Sequence, residues 1–328
     1  MDRSRIACKH RCMITRFPTA TRFSSLTERV PAPAYFVTSA TFHYLGPAFA
    51  VLLFASVDVL GVAWLRIASA AVIFALWRKP WRVWGASSWE QRRLLIALGI
   101  VLGAMNCVFY LAIDRLPLGT VGAIEFLGPI VLAAIGVRSL RNLAALLLAV
   151  GGVYLLADAH FDAEPLGLVL AFANCALFAG YVVLGHRLAE NGGASGIDRL
   201  GAAMLIAMIV VAPIGIADAM VTLTAPLLLA AAIGVGICSS VIPYVCDQLA
   251  MARIPRATFA LLLSLLPATA TIIGIIVLFQ IPTLVEVIGL VLVIAGIVAH
   301  QQRTTDRGPG ERSEGPHDGR GSQPRANS

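Results

Sequence analysis

The sequence predicts an all-α integral membrane protein with ten transmembrane helices arranged as two inverted five-helix repeats. Three observations lead there: an apolar composition, a one-sided placement of basic residues, and an internal repeat. Of the 328 residues, 58% are hydrophobic and 13% charged, where a soluble domain carries about 25% charge. Residues 1–34 and 301–328 each hold nine of the 43 charged residues, leaving 25 for the 266 residues between. At roughly 20 apolar residues per span, that middle stretch accommodates ten helices joined by short loops.

Taken in order, residues 1–36 read as a basic, mostly disordered cytoplasmic lead. Residues 1–34 contain seven Lys or Arg and no run of seven or more apolar residues, so they are not a cleavable signal peptide and could be an over-long start. Spans follow near 37–56, 59–77, 94–113, 118–137, 142–157, 166–185, 200–220, 226–248, 258–279 and 283–300. The first is diluted by Thr38, Thr41, His43, Tyr44 and Pro47. Residues 37–157 form the first five-helix unit and 166–300 the second. The segment 301–328, rich in Gly, Pro, Arg and Ser, lacks the apolar content to fold and is expected to be a disordered cytoplasmic tail.

Orientation follows from the positive-inside rule. With the amino terminus in the cytoplasm, 23 of the 25 Lys and Arg fall on the inner side. Arg115 alone lies in an outer loop, and Arg66 falls within a span. An odd number of spans would destroy this alternation, so both termini are expected inside.

Sliding the chain against itself by 138 residues gives nine identities over positions 111–136. They include Arg115 with Arg253, Pro117 with Pro255, Pro129 with Pro267, and Gly136 with Gly274. Hydrophobicity alone requires neither the Arg-x-Pro nor the proline twelve residues later. Because each unit holds an odd number of spans, the two enter the bilayer in opposite senses. Inverted repeats recur in secondary transporters, with the substrate site near the repeat interface.

The stretch from Met105 to Gly119, followed by Ala123-Ile-Glu-Phe-Leu-Gly-Pro129, resembles the EamA family of the drug/metabolite transporter superfamily. Ala63-Trp-Leu-Arg66, Lys79-Pro-Trp-Arg82 and Pro243-Tyr244 fit the same pattern, and the likeness covers about residues 37–300. Within that family it is most similar to the threonine and homoserine exporters. The resemblance implies a multi-pass protein of the bacterial inner membrane, exporting small amino acids or related metabolites by proton antiport. Two positions depart from that branch: Val51 stands where a Lys is usual, and Phe279-Gln280 where Gly-Glu is usual.

Glu125 is the leading candidate for chemistry, since an acid such as Asp within a span costs about 2.5–3.5 kcal/mol on insertion scales and marks function by default. Arg66, Asn106 and Glu125 each lie about seven residues below the outer end of their spans, at 1.5 Å per residue roughly 10 Å deep. Arg66 could face a substrate carboxylate. Glu125 could face its ammonium or exchange a proton, with Asn106 and Tyr110 supplying neutral hydrogen bonds. The alternative is a structural Arg66–Glu125 ion pair. Asn174 and Tyr181 in span six, and Ser239, Ser240 and Tyr244 in span eight, could complete the cavity from the second unit. Helix-to-helix hydrogen bonding explains such residues equally well. Asp247 could gate, or pair with Arg253 and Arg256, and Glu286 reads as interfacial. Pro129 and Pro267 could be hinges. Gly99 and Gly103 form a small-residue step that packs closely or supports a homodimer.

Other classes fit less well. A net charge of +7 would suit nucleic acid only if the basic residues formed one patch, and here they punctuate apolar stretches. Cys8, His10 and Cys12 lack a fourth metal ligand, and no phosphate-binding Gly-rich signature for ATP occurs. No cofactor or metal is expected. Gly193-Ala-Ser-Gly196 resembles an intramembrane protease motif, but no His is placed to meet its Ser. The expected partners are lipid, a small-molecule substrate and protons. The rival substrates are drugs, nucleosides or other metabolites.

Overall fold

The computed structural model describes residues 31–128, 130–131, 140–160, 164–190, 196–251 and 265–306. Among these there is no strand. The helices are α1 (Ala32–Leu53), α2 (Val59–Arg78), α3 (Trp81–Ala86), α4 (Trp89–Ile113), α5 (Leu118–Glu125), α6 (Leu140–Asp158), α7 (Pro165–Glu190) and α8 (Gly196–Ala219). A 3-10 turn (Met220–Thr224) leads into α9 (Pro226–Gly236), a π-turn (Ile237–Val241), α10 (Ile242–Met251), α11 (Leu266–Leu278) and α12 (Leu284–Asp306). Six stretches among the described residues are long and apolar enough to cross a membrane: 34–53, 59–78, 89–113, 165–188, 196–224 and 226–247. Shorter apolar helices cover 143–158, 266–278 and 284–299.

Local chemistry explains several boundaries. The Asp58 carboxylate accepts the Leu60 N–H and starts α2, satisfying a donor that the first helical turn leaves orphaned. At α4, Ser88 and Gln91 form a reciprocal capping box, so that helix begins at Trp89, five residues before the sequence expectation. Thr283 and Glu286 do the same for α12: the Glu286 carboxylate accepts the Thr283 N–H, and the Thr283 hydroxyl accepts the Glu286 N–H. The fourth span, expected as one helix over 118–137, runs unbroken only to Glu125 before a turn at Phe126. Proline at 129 has no N–H to offer the Glu125 carbonyl four residues earlier.

Close helix packing relies on small residues. Gly152 and Gly289 bring α6 and α12 together, and a Cβ at Gly152 would come 2.5 Å from the Gly289 carbonyl. Gly99 and Gly103 seat α4 against Ile206, Ala207 and Val211 of α8, so this step makes a contact within the chain. The principal helix pairs are α6 with α12, α2 with α8, α4 with α7, α4 with α8, α1 with α10, α1 with α11, and α5 with α11. Further contacts join α5 to α7 and α2 to α9. With the short α3 left out and α9, the π-turn and α10 counted as one unit, exchanging the helices of residues 32–158 for those of 165–306 in order maps this set onto itself.

Four of the five tryptophans fall within residues 77–89. Trp77, Trp81, Trp84 and Trp89 are all exposed, where α3 links α2 to α4. The Arg78 guanidinium lies over the Trp77 ring at 5.5 Å and that of Arg92 over Trp84 at 5.6 Å. Indole and basic groups together suit a membrane–water interface. Arg78 also bonds Asp198 at 2.7 Å, joining the ends of α2 and α8 on that side.

The lead before residue 31, the Cys8–His10–Cys12 group, Pro129, Arg253, Arg256, most of the Gly193–Gly196 loop and the tail beyond 306 lie outside the described residues. Pro267 is described, in the first turn of α11, where a missing N–H is tolerated.

Candidate functional site

The candidate site is built around two charged side chains that helices hold inside the protein. Arg66 on α2 and Glu125 on α5 are each only 6% exposed. Arg66 is seven residues from the start of α2, Glu125 seven from the start of α5, and Asn106 seven from the end of α4. Each therefore lies about two turns from a helix end. The two charges are not an ion pair, because no contact within 4 Å joins them among the described residues.

Arg66 is instead anchored by the second half of the chain. Its Nε donates to the Ser240 Oγ at 3.2 Å and its Nη2 to the Ser239 carbonyl at 3.2 Å. That carbonyl is available for a sequence reason. Its helical partner would be the N–H of residue 243, a proline, which has none. The helix widens here into the π-turn Ile237–Val241, a distortion found often at functional sites. The Pro243 carbonyl in turn accepts from the Ser39 hydroxyl of α1 at 3.2 Å. The guanidinium also lies 5.2 Å from the centre of the Tyr110 ring. Two of its five N–H groups are thus engaged.

Among the described residues, Glu125 has one hydrogen-bond partner. The Asn174 Nδ2 of α7 donates to its Oε1 at 3.3 Å, another link across the two halves. Asn106 is buried but donates to the Leu102 carbonyl of its own helix at 2.7 Å. It is therefore less available to a ligand than the sequence suggested. Tyr181 stacks on Phe178 at 6.2 Å. Tyr244 is half-buried and lies in the field of Arg66, Asp247 and Glu125. Asp247 is near the Ser39 hydroxyl. His43 lies edge-on to Tyr44 at 5.1 Å, within the field of Arg66.

Buried polar atoms are normally paired. Among the described residues, four fully or almost fully buried ones have no hydrogen-bond partner: the hydroxyls of Tyr44 and Tyr110, the Asn174 Oδ1 and the Ser239 Oγ. They divide into two sets. Tyr110 and Ser239 lie on the Arg66 side; Asn174 bonds Glu125, and Tyr44 lies against Gly122, one turn before Glu125 on α5. Sequence reasoning missed Tyr44, treating it as a residue that weakens the first span; the cluster Ser39, Thr41, His43 and Tyr44 was the available signal.

A second polar group stands at one end of the helices, where α5 and α12 begin and α6 and α11 finish. A cavity of about 230 Å³ is lined by Thr120, His160, Thr271, Gln280 and Glu286 among others. Phe279 adopts a left-handed cap conformation, turning the chain at the end of α11, and the Gln280 Oε1 accepts the Leu118 N–H at 3.0 Å. His160 Nε2 contacts Glu286 Oε1 at 2.8 Å. Glu286 is buried and acts as both helix cap and cross-link.

Buried charges shared between two sets of apolar helices define a multi-pass membrane protein with a polar centre, the construction of a small-solute carrier. The chain belongs to the EamA-like transporter family, which matches residues 165–299. It is 35% identical over 254 residues to the threonine/homoserine exporter RhtA of Salmonella typhimurium strain SL1344, covering 76% of this chain and 84% of that protein. The Escherichia coli K12 exporter of the same name is 34% identical over the same length and coverage. A solved crystal structure with 16% identity aligns at a TM-score of 0.52, over 84% of this chain and 98% of that one. That last likeness concerns the fold.

Proposed function

We propose that this protein exports small zwitterionic amino acids resembling threonine and homoserine across the bacterial inner membrane. Export is by proton antiport with alternating access between two inverted five-helix units, and both termini are cytoplasmic. The observation that carries this reading is that Arg66 and Glu125 are both buried and not paired with each other, each with unpaired polar atoms on its side. A zwitterion has complementary ends: a carboxylate for the Arg66 pole, with Tyr110 and Ser239 as donors, and an ammonium for the Glu125 pole. A pair already satisfied by each other would offer neither.

The inverted-repeat reading is supported by helix contacts that map onto themselves when the halves are exchanged. Motion of one half against the other would change the hydrogen bonds that cross between them, those of Arg66 and Glu125 included. Relatives that are threonine/homoserine exporters support the substrate class. The test is efflux from cells loaded with dipeptides, with and without the protein. Threonine or homoserine should leave faster when it is present, and no enhanced efflux of any amino acid would overturn the assignment. Reporter fusions at both ends and in each loop test the ten-span topology.

A further inference from the structure

Around Glu125 the unpaired atoms have a particular chemistry. Gly122 and Glu125 are three residues apart and so share a face of α5. Tyr44 of α1 reaches that face: its hydroxyl lies 3.2 Å from where a Cβ on Gly122 would be, and its ring carbon Cε1 at 3.3 Å. A side chain at 122 would crowd the tyrosine, so glycine is what admits it. On the α7 side, the Asn174 Nδ2 is spent on the Glu125 Oε1. Facing the ionised carboxylate, which only accepts, the amide points this way, and its Oδ1 is left as an unused acceptor. The Tyr44 oxygen likewise has no partner. Both residues are fully buried.

Resting on the amino-acid reading above, we propose that Tyr44 Oη, Asn174 Oδ1 and the Glu125 carboxylate form a three-acceptor cup for a primary ammonium group. A primary ammonium carries three N–H donors. Three helices, α1, α5 and α7, supply one acceptor each, and the carboxylate supplies the charge. The site therefore selects for an unsubstituted amine and against N-alkylated amino acids, which cannot fill all three bonds. Tyr44 is a binding residue here, and its hydroxyl is the part that matters.

The experiment is counterflow in proteoliposomes holding the full chain. L-threonine is the labelled substrate, and its N-methyl, N,N-dimethyl and N,N,N-trimethyl derivatives are competitors. A hydrogen bond to a charged group is worth about tenfold or more in affinity, so each methyl should weaken competition by about that factor. In Tyr44→Phe, threonine should weaken by about tenfold, and the first N-methylation should cost about threefold or less because one acceptor is already gone. An equal methylation penalty in wild type and Tyr44→Phe overturns the role of Tyr44. A flat methylation series in the wild type overturns the cup whether or not the variant folds. Absence of threonine counterflow overturns the transport reading, and the cup with it.

Discussion

Arg66→Lys keeps the positive charge and discards the geometry, and therefore tests how the site is built. The guanidinium spends one N–H on the Ser240 Oγ and one on the Ser239 carbonyl, both at 3.2 Å, and places its plane near the Tyr110 ring. A hydrogen bond from a charged group contributes about 1.5–3 kcal/mol and a cation over an aromatic face about 0.5–2 kcal/mol. A lysine ammonium is a point charge on a flexible stem and reaches at most one of the two acceptors. The net loss is then about 2–4 kcal/mol, which at 1.4 kcal/mol per decade lowers kcat/KM by about 30- to 1000-fold. Membrane insertion should be unaffected, since Lys and Arg carry similar insertion costs. The assay is threonine counterflow normalised to protein per vesicle. Activity within threefold of wild type would refute the anchoring role. Ser240→Ala, which leaves the Ser239 carbonyl in place, should be the milder variant; a loss as large as that of Arg66→Lys would also contradict this geometry.

Pro243→Ala restores an N–H that can bond the Ser239 carbonyl in competition with Arg66, so thermal stability should rise while counterflow falls; unchanged transport would argue against a role for the freed carbonyl. Gly152→Leu should prevent α6 from packing on α12 and reduce the yield of folded protein in detergent, whereas Gly151→Ala next to it meets nothing within 4 Å and should be neutral. Gln280→Leu removes the acceptor of the Leu118 N–H, and the denaturation midpoint should fall by the equivalent of about 1 kcal/mol. Glu125→Gln should insert normally yet lose the dependence of export on the pH gradient. If that dependence persists, the proton passes elsewhere.

The helices among the described residues were legible because hydropathy reports them directly, and some of their end points moved where caps or prolines act locally. Arg66 and Glu125 were legible for the opposite reason: an ionisable group in an apolar run stands out. Their partners were not. Nothing along the chain says that Asn174 meets Glu125, 49 residues away, or that Ser240 meets Arg66, 174 residues away. Those pairings depend on how helices cross. Tyr44 was hidden because a tyrosine in a weak span looks like a flaw until its neighbours are known. The capping role of Glu286 was hidden because it requires Thr283 to be at a helix start.

The short helix at Trp81–Ala86 has a mechanical meaning. Four indoles clustered at one end of α2 and α4, flanked by arginines, act as a float held at the headgroup layer. Displacing α2 along the bilayer normal would pull them into oil or water, so the helix that carries Arg66 has a fixed draught. The serines that grip the guanidinium lie in the π-turn of the second half, so in the alternating access proposed above Arg66 is the reference against which that half travels.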